Sequence, residues 1–111
     1  MSLAYPKSHR LLKRHQFKQV SHRAQRLQGN WLFIEVSSNI YLHTRLGITV
    51  TRKYGNACLR NRFKRTVREA FRSSYQQLPR GVDLIVRPRR DLLLTKSPEL
   101  KDELLRLLAT V

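Results

Sequence analysis

An α+β domain is what this sequence predicts: a small mixed sheet of three to four strands packed with three helices. Three observations carry that expectation. Trp31 to Ser37, Arg45 to Thr51 and Val82 to Arg87 concentrate β-branched and aromatic residues in short runs bounded by turn formers. Between the second and third runs lies a stretch whose apolar residues recur at helical spacing. The 111 residues, 41% of them apolar, suffice for one core and are too few for two. Residues 1–111 therefore read as one domain, with 1–7 loose and Pro6 marking the entry to structure.

Taken in order, Ser8 can cap a first helix near 9–22, with apolar Leu12, Phe17 and Val20 and basic His9, Arg10, Lys13, Arg14 and Lys18. Gln28-Gly29-Asn30 reads as a break before the strand Trp31–Ser37. A turn at Ser37-Ser38-Asn39 follows, and Ile40-Tyr41-Leu42 either adds a short strand or continues the hairpin. In Arg45–Thr51, Leu46, Ile48 and Val50 alternate with Gly47, Thr49 and Thr51. Tyr54-Gly55-Asn56 supplies a turn, with Asn56 as N-cap of the next helix. That helix runs until Pro79-Arg80-Gly81 stops it, and Val82–Arg87 is closed by Pro88. Leu92-Leu93-Leu94 in 89–96 is either helical or a buried loop. Ser97-Pro98-Glu99 opens a last helix that buries Leu100, Leu104, Leu107 and Leu108. The order helix, strands, helix, strand, helix fits helices packed on a small sheet.

The central helix carries the strongest functional signal. At about 100° per residue, Leu59, Phe63, Val67, Ala70 and Phe71 share one arc. Lys64, Arg65, Arg68 and Arg72 crowd the opposite arc with Asn61, and Arg60 and Arg62 flank it. Glu69 is the one acid in this stretch. Like charges at i,i+4 repel by a few tenths of a kcal/mol per pair, so most amphipathic helices mix signs on their wet face. Such self-repulsion makes sense where a polyanion lies against the helix. Composition agrees: 23 Lys and Arg against 7 Asp and Glu give a formal charge of +16, spread along the chain. Nucleic acid is the leading partner class and an anionic membrane surface the weaker one.

Catalytic equipment is sparse. The carboxylates Glu35, Glu69, Asp83, Asp91, Glu99, Asp102 and Glu103 are scattered, and the last three cluster only where a helix macrodipole would favour acids. Metalloprotease, nucleophile-elbow and phosphate-loop motifs are missing, and His9, His15, His22 and His43 read as solvated or phosphate-facing imidazoles rather than a metal site. Cys58, single and beside Leu59, reads as a small core-facing residue rather than a reactive thiol. The basic N-terminus lacks a signal-peptide core, and no run approaches the ~20 apolar residues a bilayer span needs, so the cytoplasm is expected. The aromatics Phe17, Trp31, Phe33 and Tyr41 are either a stacking platform for single-stranded RNA or core.

The run Arg45 to Arg65, with Arg-Asn-Arg at 60–62 and then Arg68-Glu69 and Phe71-Arg72, resembles the protein subunit of bacterial ribonuclease P. Leu12-Lys13 and Phe17 match that family's first-helix pattern. The resemblance implies a left-handed βαβ crossover, against the usual right-handed rule, in a ribosomal-protein-like fold. It implies a catalytic RNA as partner and precursor tRNA as substrate. The RNA, with bound Mg²⁺, removes the 5′ leader; the protein holds no cofactor, needs no obligate protein partner and does not cut by itself. Arg52, Lys53, Arg60, Asn61, Arg62, Lys64, Arg65, Arg68 and Arg72 become RNA contacts, and Lys13, Phe17 and Phe33 line a leader cleft. Ser21 stands where many members carry a second aromatic. The alternative is a ribosome-associated RNA-binding protein; a DNA-binding regulator and a stand-alone nuclease are weaker readings.

Overall fold

The computed structural model describes residues 10–11, 14–39, 41, 43–89 and 97–110. Its elements are α1 (Arg14–Arg23), β1 (Gln25–Gln28), β2 (Leu32–Ser38), β3 (Arg45–Ile48), α2 (Ala57–Ser74), β4 (Val82–Pro88) and α3 (Ser97–Leu108). The strands form one mixed sheet in the order β1-β2-β4-β3, antiparallel except that β3 runs parallel to β4. The parallel pair is joined through α2, as the βαβ expectation requires.

Strand alternation divides the side chains between two faces. Leu32, Ile34 and Val36 of β2, Leu46 of β3, and Leu84 and Val86 of β4 point to one face. There they meet Phe63, Val67 and Phe71 of α2 and Leu100, Leu104 and Leu108 of α3 in the main core. On the other face α1 lays Val20 and half-buried Phe17 against Ile85 and Leu11. The helix α2 begins where the sequence says it should, since the Asn56 Oδ1 accepts from the Leu59 N–H at 3.0 Å. A short 3-10 turn, Tyr75–Gln77, ends it, and Gly81 takes φ +72°, a left-handed value suited to glycine, to enter β4.

Several expectations need correction. Gln25–Gln28 is a strand where the sequence suggested no element before the break at Gln28-Gly29-Asn30, and β3 is shorter than Arg45–Thr51, although the Thr49 N–H still donates to the Val86 carbonyl at 3.0 Å. Arg10 and Leu11, expected in the first helix, instead lie beside β3: Arg10 forms a parallel bridge with Leu46 and the Leu11 N–H donates to the Leu46 carbonyl at 2.9 Å, because the free edge of β3 offers a better partner than another helical turn. Cys58 is exposed, being placed by the helical repeat beside the Arg65 arc and away from Leu59. Tyr41 lies in a bend rather than a strand. Glu103 is buried, accepting from the backbone N–H groups of Asn30 at 2.6 Å and Trp31 at 3.0 Å. It therefore ties α3 to the β1–β2 turn instead of merely complementing a macrodipole. Gly29 makes room for it, since a Cβ there would overlap the Glu103 carboxylate. The expected Ser8 cap and residues 90–96 lie outside the described residues, as do Ile40 and Leu42.

Candidate nucleic-acid interface

The cations of α2 face away from the core because Phe63, Val67, Ala70 and Phe71 of its apolar arc are committed to it. Asn61, Arg62, Arg65, Arg68 and Arg72 are exposed, while Arg60 and Lys64 are half-buried. Among the described residues none of these cations forms an ion pair; the salt bridges lie elsewhere, at Arg26–Glu35, Arg45–Asp83, Arg87–Glu35 and Arg106–Glu103. Glu35, Asp83 and Glu103 are thus buried and consumed internally. Three of the seven acids are withdrawn from the surface, which leaves few acids there to offset its cations.

Arg60 turns back along the chain, its Nη1 donating to the Gly55 carbonyl at 2.8 Å. It braces the turn before α2, on whose 3-10 segment Arg52 and Lys53 stand exposed. Lys64 and Arg68 project toward the β3 edge, lining a 140 Å³ cavity with Arg10, Phe17, Leu46 and Ile48.

Phe17 also borders a second cavity of 250 Å³ between α1 and the sheet, with Arg14, Lys18, Glu35, Thr49, Ile85 and Arg87. An aromatic ring, an aliphatic floor and surrounding cations suit a single RNA strand: the ring can stack a base and the cations hold phosphates. Glu35 sits in this floor, 3.0 Å from Arg87 Nη2 and 3.9 Å from Arg26 Nε. Farther along the same sheet face, half-buried Phe33 pairs in register with Arg87 and lines a 510 Å³ hollow with Arg26, Gln28 and Pro88. The Arg89 guanidinium lies 5.7 Å from its ring centroid. Phe33 therefore belongs to the sheet face and not to the main core. Trp31, in contrast, packs against that core.

The structure thus brings Phe17 together with Lys64 and Arg68, and puts Phe33 farther along the cleft floor. Lys13 and the Ser21 side chain lie outside the described residues. The sequence reading did not single out Arg14, Lys18 and Arg87 as cleft cations. The signal for Arg87 was present: with Ile85 and Asp83 it occupies alternate positions of β4, opposite Leu84 and Val86.

At the other end of this face, Asp83 accepts from Arg45 Nε at 2.8 Å and Nη2 at 2.7 Å. Those hydrogen bonds raise the Arg45 guanidinium above its ordinary range, with burial opposing. A raised value means that the pair's stabilisation is complete below the usual arginine range and fades only above it, so Arg45 stays charged at working pH. Among the described residues no group of three His, Cys, Asp or Glu side chains is placed to hold a metal, and no helix is long and apolar enough to cross a membrane.

A family model for ribonuclease P matches residues 5–111. The chain is 37% identical over 92 residues to the ribonuclease P protein component of Thermotoga petrophila, covering 83% of this chain and 79% of that protein. It is 43% identical over 88 residues to that of Chlamydia trachomatis serovar D, covering 78% and 72%. Among solved structures, the RNase P protein from Thermotoga maritima superposes with a TM-score of 0.82 at 34% identity, covering 92% of this chain and 96% of that one. The Staphylococcus aureus RNase P protein gives 0.80 at 28% identity, covering 94% and 95%.

Proposed function

This chain belongs to the ribonuclease P protein family, and from that premise we propose how its surfaces serve the enzyme. It is the protein component of a bacterial ribonuclease P. The chain binds the catalytic RNA through Arg52, Lys53, Arg60, Asn61, Arg62, Lys64, Arg65, Arg68 and Arg72. It holds the 5′ leader of precursor tRNA in the cleft of Phe17 and Phe33, and Lys13 is a further contact to that leader. The RNA performs the endonucleolytic cut, and the protein works beside it in the cytoplasm without an obligate protein partner.

Mg²⁺ belongs to the RNA on this reading. Among the described residues no carboxylates converge to offer the ion a site, and Glu35 and Asp83 are engaged by arginines and Glu103 by backbone amides. The chain's own contribution is electrostatic. Catalytic RNA and precursor are both polyanions, and their mutual repulsion falls when a cationic body lies between them and displaces condensed counterions.

One observation carries the proposal: Phe17 borders both the α1 cleft and the cavity containing Lys64 and Arg68. A strand held in the cleft is therefore delivered beside the cationic face of α2. Each feature alone would suit a generic RNA binder; their contact suits a protein that holds two RNAs at once. The ribosome-associated alternative is not favoured, because the family match spans nearly the whole chain.

Reconstitution tests this reading. The chain is mixed with a bacterial ribonuclease P RNA in dilute Mg²⁺ and precursor-tRNA cleavage is followed. Stimulation over the RNA alone is expected; a folded chain that leaves cleavage unchanged would refute the proposal.

A further inference from the structure

The cleft accounts for Phe17 and Phe33, but Tyr41 stands outside it. On the α1-facing side of the sheet, β2 presents Phe33, Glu35 and Ser37, and β4 presents Arg87, Ile85 and Asp83. The cleft uses the first two of each set. Ser37 and Asp83 instead line a separate cavity of 560 Å³ with Lys18 and His22 of α1, Arg45 of β3 and Tyr41. Its volume falls within the range of small-ligand pockets.

Among the described residues Tyr41 is the large apolar side chain that stands exposed, with 45% of its surface open. One exposed tyrosine would be ordinary, but this one is held in place. The Arg45 guanidinium, fixed by Asp83, lies 4.5 Å from the ring centroid. The His43 ring is 5.6 Å away, and the Tyr41 N–H donates to Asn39 Oδ1 at 2.8 Å. An aromatic ring fixed at a cavity mouth loses little freedom when a planar group stacks on it.

We propose that this cavity is a second nucleotide-binding site, in which Tyr41 stacks a base of single-stranded RNA while Lys18 and His22 hold its phosphodiester. Ser37 and Ser38 supply polar groups for the ribose or base edge. An RNA strand is favoured over a free nucleotide because Lys18 borders both this cavity and the leader cleft, so a backbone can run from one to the other. The inference rests on the functional reading above. Two sources fit the chemistry: leader nucleotides beyond the cleft, or an unpaired nucleotide of the catalytic RNA.

The test uses reconstituted holoenzyme carrying Tyr41→Ala, Tyr41→Phe or His22→Ala. Affinity for the catalytic RNA is measured without precursor. Affinity of the holoenzyme is then measured for precursors with a long leader and with one cut to a few nucleotides. Loss of a stacked base should weaken binding about tenfold in Tyr41→Ala, and Tyr41→Phe should restore it. A loss confined to the long leader assigns the site to the substrate; a loss in assembly, whatever the leader, assigns it to the catalytic RNA. If Tyr41→Ala melts early, His22→Ala, exposed on α1, decides by a smaller loss of the same pattern. Folded Tyr41→Ala and His22→Ala chains that match wild type in every assay would overturn this inference alone. A wild-type chain that tightens neither RNA would overturn the functional reading beneath it.

Discussion

The ring of Phe17 sits over Gly47, so close that a Cβ on the glycine would stand 2.6 Å from Cε2 and 3.0 Å from the Leu11 Cβ. Glycine in β3 thus sets the depth of the cleft, because only a bare backbone lets the ring settle onto the sheet. Gly47→Ala should push the ring outward and cost about 1–3 kcal/mol of stability. Precursor binding should weaken while affinity for the catalytic RNA holds. Urea unfolding and the two binding constants, measured side by side, check both halves of the expectation.

Arg65 and Arg68 are exposed cations without an ion-pair partner among the described residues. Replacing either with alanine should weaken binding to the catalytic RNA and flatten its salt slope by about one unit. Arg60→Ala should lose more than one charge's worth of binding, since its hydrogen bond to Gly55 braces the turn that carries Arg52 and Lys53. Titrations across a range of salt concentrations check the slopes; an unchanged slope for both Arg65→Ala and Arg68→Ala would remove α2 from the interface.

Glu35 is a carboxylate in the floor of a cleft whose other charged side chains, Arg14, Lys18 and Arg87, are cations, and it holds Arg87 at 3.0 Å. Glu35→Gln should free Arg87 and tighten precursor binding by about two- to fivefold. The salt slope for precursor should steepen accordingly, with assembly onto the catalytic RNA unaffected. Weaker precursor binding would mean instead that Glu35 is needed to orient Arg87.

Glu103 makes a stability prediction that is independent of RNA. Its carboxylate accepts from two backbone N–H groups, and truncation would leave them without that partner. Glu103→Ala should cost about 3 kcal/mol, read by urea unfolding, with no change in the salt slope of RNA binding.

How far the sequence foretold these features follows from the range of the interactions. The helix α2 was legible because its signals are local: the Asn56 cap, one apolar arc and one charged arc. The strand β1 was not, since Gln25–Gln28 has little apolar character and becomes a strand through its pairing with β2. Helical angles put Lys64 on the wet side, yet it is half-buried at the β3 edge, because the partner that covers it comes from elsewhere in the chain. The buried roles of Glu35, Asp83 and Glu103 escaped for the same reason: each is engaged by residues distant in sequence. The two cavities that share Phe17 needed the fold as well, although Phe17 itself stood out as a large ring on a basic segment.

If the Phe17–Phe33 cleft reads the leader, the protein distinguishes precursor from mature tRNA. Affinity of each tRNA should be measured for the catalytic RNA alone and for the reconstituted holoenzyme, at one salt and one Mg²⁺ concentration. Adding the protein should tighten precursor binding markedly and leave mature tRNA, which has no leader, nearly unchanged. Equal tightening of both would rule out leader recognition by the cleft and reduce the protein to a diffuse counter-charge.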